Sequence, residues 1–182
     1  MKKLTATVIL VLMLIGISGG CSDAKDIYIG EGKMTVIRSL ISTNDFLANE
    51  VFGENHLPVD ASNSVTRDSR TFAPVVSDRI SSYAQLENLV YTTYTEEAAK
   101  KLLTEPEKYI EIDGRLYFDL HYASSEDSEF VSREIETELK KVNDDGSYTF
   151  KVKFINTKGF NETLKIKVTE TDGAIRLCDF YS

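Results

Sequence analysis

The sequence predicts an α+β domain, with N-terminal helices packed on a curved antiparallel sheet. Three observations carry this. Helical periodicity dominates the stretch between Met34 and Leu103. Alternating apolar and polar residues dominate from Tyr109 onward. Asp-Gly turns at Asp113-Gly114, Asp145-Gly146 and Asp172-Gly173 separate those alternating runs at hairpin spacing. Helices first and a meander afterwards segregate into an α+β architecture rather than a parallel one. Residues 34–182 suffice for one domain with a core of its own.

Before that domain stands a leader. Lys2 and Lys3 precede an apolar run from Val8 to Ile17, which is followed by Ser18-Gly19-Gly20-Cys21. A charged start, a short apolar stretch and small residues before a cut site mark a secretory signal. The run is short for a bilayer-spanning helix. The cysteine behind the small residues resembles the end of a bacterial lipoprotein signal. That resemblance implies cleavage after residue 20, lipidation of Cys21, a tether over residues 21–33 and a location on the extracytoplasmic face of the cell membrane. Stable anchoring takes more than one acyl chain, as such a modification supplies.

Charge and cysteine content narrow the function classes. The chain carries 21 basic and 29 acidic residues, a net charge of -8. Removing the two leader lysines takes the exported part to -10. Such a balance disfavours nucleic acid and anionic lipid as partners and permits a basic one. With Cys21 lipidated, Cys178 stands alone, so neither a disulfide framework nor a thiolate metal site is expected.

The elements follow in order. Ile37, Leu40, Ile41, Asn44, Leu47, Ala48 and Val51 recur at three- and four-residue spacing, predicting a helix from Met34 that stops near Gly53. Residues 54–81 read as a long irregular segment, broken by Pro58 and Pro74 and by Asn63, Ser64, Asp68 and Ser69. Loops of that length inside a compact domain are often functional. Ser82 and Gln85 form a capping box ahead of Leu86, Leu89, Val90 and Tyr94. Thr95 reads as the N-cap of a further helix, with Glu96 and Glu97 at its positive end and Lys100 and Lys101 nearer its negative end.

Tyr109–Ile112 and Arg115–Phe118 flank the first Asp-Gly turn as a hairpin. Residues 119–129 form an acidic loop. Residues 130–142 suit either a helix or a strand; the turn at 144–146, leading into an unmistakable strand, favours strand. Tyr148, Phe150, Val152 and Phe154 then alternate with Thr149, Lys151 and Lys153. Leu164, Ile166 and Val168 alternate with Lys165 and Lys167, and a last strand runs from Ile175 to Tyr181.

Several phrases together resemble a known family: Phe46-Leu47-Ala48-Asn49-Glu50-Val51-Phe52-Gly53, then Leu57-Pro58-Val59-Asp60, then Tyr94-Thr95-Glu96-Glu97-Ala98-Ala99-Lys100-Lys101-Leu102-Leu103. Tyr109-Ile110-Glu111-Ile112-Asp113-Gly114-Arg115-Leu116-Tyr117 and the ending Thr171-Asp172-Gly173-Ala174-Ile175-Arg176-Leu177-Cys178-Asp179-Phe180-Tyr181 complete the set. From residue 34 to 181 the chain resembles the IseA-type inhibitors of cell-wall DL-endopeptidases, exported proteins of Gram-positive bacteria. The resemblance implies a cystatin-like or NTF2-like fold and a non-enzymatic, monomeric role. It implies inhibition of an NlpC/P60-type cysteine endopeptidase that cleaves peptidoglycan stem peptides. It transfers no contact residues. Charge supplies a hypothesis instead: Asp119, Glu126, Asp127 and Glu129 of the acidic loop enter a cleft of the enzyme, helped by electrostatic steering.

Other chemistries find weaker footing. His56 and His121 lack a second His or Cys at ligand spacing. Cys178 reads as a small buried hydrophobe rather than a nucleophile. Asp144-Asp145 and Glu126-Asp127-Glu129 lack calcium-loop spacing and are better explained as turn and loop residues. Lys151, Lys153, Lys165 and Lys167 make a stripe best read as a solvated outer sheet face. No cofactor is expected. The second function class is a small-ligand or sensor module with a cavity between sheet and helices, lined by Tyr91, Tyr94, Tyr109 and Tyr117.

Overall fold

A computed structural model describes residues 29–53, 55–123, 132–156, 159 and 161–181. The class is α+β, with helices packed on antiparallel sheet. The first helix, α1, spans Glu31–Phe46 and continues as a π-helical stretch over Leu47–Phe52. It begins inside the stretch expected to be tether, and Lys33 at its start reaches Glu170 at 2.5 Å. Ile37, Ile41, Asn44, Leu47 and Val51 are buried along one side, as their spacing predicts.

The wider π turn brings Phe52 inward beside Val51. It also creates an end that only glycine fits. A Cβ on Gly53 would sit 2.0 Å from the carbonyl oxygen of Ala48. Three carbonyls at this end find side-chain donors, as buried helix ends require. Lys108 Nζ donates to Phe52 O at 2.6 Å and Gly53 O at 2.9 Å, and Tyr109 Oη donates to Val51 O at 3.0 Å.

Residues 54–81 are more regular than their composition suggests. Strands β1 (Val65–Arg67) and β2 (Arg70–Pro74) form a hairpin there. Its two-residue turn places Asp68 and Ser69 at φ 50° and 66°. A turn with both central residues left-handed matches strand twist, but usually announces itself with glycine. Ser69 carries no such signal, and the expected irregular loop is corrected on that point.

Helix α2 (Tyr83–Thr93) starts at a cap close to the predicted one. Ser82 Oγ accepts from Gln85 N at 3.2 Å, and the Gln85 amide oxygen accepts from Ser81 N at 2.8 Å. Helix α3 (Glu96–Thr104) has Thr95 at its N-cap position, but the side chain makes no capping bond. Thr95 N instead donates to Leu177 O at 2.9 Å, so the break between α2 and α3 is spent on sheet contact.

Strands β3 (Tyr109–Ile112) and β4 (Arg115–Asp119) make the predicted hairpin. They join β1 and β2 in a four-stranded antiparallel sheet of order β1-β2-β4-β3. A second sheet of order β5-β6-β7-β8 holds β5 (Ser132–Val142), β6 (Tyr148–Asn156), β7 (Asn161–Thr171) and β8 (Ala174–Leu177). The strands are therefore shared between two sheets. Helix α1 packs against both outer strands of the second, β5 and β8, so that sheet curves around it. Irregularities in β5 between Glu134 and Glu136 and between Leu139 and Lys141 add local bend.

The last strand ends at Leu177 rather than continuing to Tyr181. Residues 178–181 turn back onto α1. Asn44 Nδ2 donates to Tyr181 O at 2.8 Å, while Asn44 Oδ1 accepts from Tyr181 N at 3.1 Å and from Tyr94 Oη at 2.9 Å. Tyr181 Oη in turn accepts from Lys167 N at 2.8 Å. One buried amide thus joins α1, the end of α2 and the C-terminal segment through one donated and two accepted hydrogen bonds.

Candidate functional site

The acidic loop begins at a fixed point. Asp119, the last residue of β4, is fully buried. Its Oδ2 accepts from Arg70 Nε at 2.6 Å and its Oδ1 accepts from His121 N at 2.9 Å. Arg70 also donates to Glu107 O at 2.9 Å and stacks over Phe72 at 5.1 Å. Asp119 was expected among partner-contacting carboxylates, and burial removes it from that set. Pairing of Phe72 with Asp119 across β2 and β4 draws the carboxylate under Arg70. Its charge is consumed in joining the two strands. Cys21, Glu126, Asp127 and Glu129 lie outside the described residues.

The tyrosines expected to line a cavity divide. Tyr94 and Tyr109 are buried in the core, and their hydroxyls are spent on Asn44 and on Val51 O. Tyr109 Oη also accepts from Leu57 N at 3.1 Å. Burial raises both phenols well above their ordinary value. Tyr91 is half-buried and packs against the core. The space between helices and sheet at Tyr94 and Tyr109 is therefore filled by side chains.

Tyr117 faces the other way. With Arg115 it lines an open groove of about 640 Å³ on the outside of the first sheet. Pro74, Val75 and Val76 supply its apolar part, and Asp60, Asn63 and Ser81 its polar walls. Val76 is 59% exposed. Asp60 caps the short 3-10 turn Ala61–Asn63. Its Oδ1 accepts from Ser62 N at 3.0 Å and from Ser62 Oγ at 2.5 Å, and its Oδ2 accepts from Asn63 Nδ2 at 2.6 Å. These bonds hold its carboxyl below the usual range. The alternation of Arg115 and Tyr117 against Leu116 and Phe118 was readable in the sequence. That residues 60–63 and 81 wall the same groove was not.

The remaining candidates sit in ordinary settings. His56 stacks on Phe118 at 4.2 Å, with Nδ1 2.7 Å from Leu57 O. His121 is exposed and lies edge-on to Tyr122. Cys178 is half-buried just beyond β8, and burial pushes its thiol up, away from the reactive thiolate. Asp145 is a turn residue: its Oδ2 meets Lys167 at 2.8 Å and its Oδ1 accepts from Ser147 N and Oγ. The Lys167 bond, then those from Ser147, holds its carboxyl far below the usual range.

Along the lysine stripe, Lys153 pairs with Glu136, and Lys151 lies opposite Glu138 in register. Its lysines alternate with buried Val152, Phe154, Ile166 and Val168, as an outer face should. Among the described residues no group of three His, Cys, Asp or Glu is placed to hold a metal ion. No helix among them is long and apolar enough to cross a membrane. No protein-family model matches the chain, and no curated protein matches it.

Proposed function

We propose that the chain is an exported lipoprotein, anchored through Cys21, that binds and inhibits a peptidoglycan-cleaving cysteine endopeptidase and so moderates cell-wall turnover. The leader pattern supports export and anchoring. The family-like phrases between residues 34 and 181 support the choice of partner. The structural observation that favours a protein-binding role is the filled interior. Tyr94 and Tyr109, two of the four tyrosines expected to line an internal cavity, are packed and hydrogen-bonded. Function then falls to exterior surfaces, as in a protein that acts by contact.

In this reading the acidic loop is the contacting element, and Asp119 is its root. Arg70 fixes that root to the β1–β2 hairpin. Glu126, Asp127 and Glu129 supply the charge that meets a basic or polar cleft. Long-range attraction of this kind raises the association rate and weakens as salt screens it.

The test is titration of the purified full chain, in mild detergent, against an endopeptidase domain digesting peptidoglycan. Stoichiometric inhibition is expected, weaker at higher salt. Replacing Glu126→Gln, Asp127→Asn and Glu129→Gln together should reduce both the inhibition and its salt dependence. An absence of inhibition against several such enzymes of the host would overturn the function. Full inhibition by the neutralised variant would overturn the role of the loop alone.

A further inference from the structure

Arg115 and Tyr117, on the outer face of the first sheet, have no polar partner among the described residues. Arg115 is exposed and makes no ion pair or hydrogen bond. Tyr117, two residues along the same strand and so on the same face, is half-buried, and its hydroxyl makes no hydrogen bond. Arg70, on the neighbouring strand, is fully engaged with Asp119, Glu107 and Phe72. Arg67 on β1 is also exposed and unpaired among the described residues, so what sets Arg115 apart is its place in the lining of the groove.

The surroundings of these groups are preformed. Pro74 lies directly opposite Tyr117 in register, and Val75 is held by a hydrogen bond from its N to Leu116 O at 2.9 Å. Val76 N donates to Pro58 O at 2.7 Å, which fixes the apolar floor to the segment carrying Asp60. On the polar wall of the groove, Asp60 is held in place by three donors. The groove thus presents a cation and a phenol, an apolar floor, and a fixed carboxylate.

We infer that this groove binds a zwitterionic short peptide. The free α-carboxylate pairs with the forked guanidinium of Arg115 and accepts from Tyr117. The apolar side chains cover Pro74, Val75 and Val76. The α-ammonium lies toward Asp60. A guanidinium fork matches a carboxylate in two parallel bonds, which a lysine at this position would not reproduce. An open groove of about 640 Å³ has room for a short peptide. The described lining of this site contains no residue of the acidic loop, and its occupancy does not depend on the endopeptidase reading.

The test uses the tripeptide Ala-Val-Ala in three forms: free, amidated at the C-terminus, and acetylated at the N-terminus. Binding to the full chain is followed by NMR of the arginine Nε–H resonances and by calorimetry. Amidation should weaken binding about tenfold, the scale of one charge-assisted pair. Arg115→Gln should weaken the free peptide equally and leave the amidated form unaffected. Tyr117→Phe, which removes one oxygen and keeps the ring, should give a smaller loss. Acetylation should cost affinity in the parent chain but not in Asp60→Asn. Equal binding of free and amidated peptide, no binding at millimolar peptide, or inorganic phosphate binding as tightly as the peptide would each overturn the assignment. Arg115 is exposed, so its replacement leaves folding intact, which the far-ultraviolet circular dichroism of each variant checks.

Discussion

The two sheets are built on different plans. The second, β5 to β8, is a meander whose neighbours in space are neighbours in sequence. The first joins β2 to β4 across two helices, with Phe72 opposite Asp119. The second carries its charges outward as exposed pairs, such as Lys153 with Glu136 and Lys167 with Asp145. The first buries one of its charges, at Asp119 beneath Arg70, and leaves Arg115, on the same face, unpartnered among the described residues. A local meander needs little more than turns and alternation. A sheet closed over a long segment also needs a specific tie.

If that tie matters, removing it should be the most damaging change. Asp119→Ala would strip the buried partner from Arg70 and the acceptor from His121 N. We expect a loss of about 3 kcal/mol, the lower end for breaking a buried pair because Arg70 is partly exposed. Chemical denaturation measures it. Lys153→Ala, which cuts an exposed pair in the other sheet, should leave the midpoint within error. Equal effects from the two would dissolve the distinction between the sheets.

Alkali asks which plan yields first. Tyr109 secures the helix end beside the first sheet, while Tyr94 and Tyr181 secure α1 to the second. Burial raises all three phenols, Tyr181 to about 12. A raised folded value means that the folded chain keeps protons which the unfolded chain releases. The stability from these phenols is fully present below pH about 10 and is lost as pH rises toward and through 12. Each contributes a slope of about 1.4 kcal/mol per pH unit in that window. Phenolate absorbance followed together with circular dichroism should show part of the nine tyrosines ionising only on unfolding. Smooth ionisation of all nine with the fold intact would contradict the burial argument. Comparing Tyr109→Phe with Tyr94→Phe would then identify the weaker region.

The smallest effect sharpens the comparison at its turns. The β3–β4 hairpin has Gly114 at φ 75°, whereas the β1–β2 hairpin has Ser69 at φ 66°. Ser69→Gly should stabilise by about 0.5 kcal/mol, because relief of left-handed strain slightly exceeds the added freedom of the unfolded chain. Thermal melts of the pair would show it, and a loss of stability would mean that the serine side chain is needed where it stands.

That same serine shows why the first sheet was hard to read. Two β-strands around an Asp-Ser turn, with Pro74 in the second, look like a loop to any rule based on composition. The second sheet carried alternation along its strands and Asp-Gly at two of its three junctions, and β5 followed once its neighbour was recognised. The candidate site follows the same division. Arg115 and Tyr117 were visible as the outward residues of a hairpin. The groove they share with Asp60 and Val76 is not local, and no periodicity encodes it. Asp119 shows the converse, since an aspartate between a strand and an acidic loop reads as exposed until Arg70 arrives from a different strand.

By itself, then, the sequence determined the α+β class, the buried side of α1, the capped start of α2 and the turns of the meander. Each of these is set by residues within a few positions of one another, through backbone preference and the burial of one face. Tertiary structure decided the split into two sheets, the burial of Asp119 and the clamp of Asn44 on the C-terminal segment. It also decided the π-helical end at Gly53 and the groove at Arg115. These depend on which distant groups meet. A polar side chain becomes a tie, a cap or a free ligand according to the partner that the packed core brings to it.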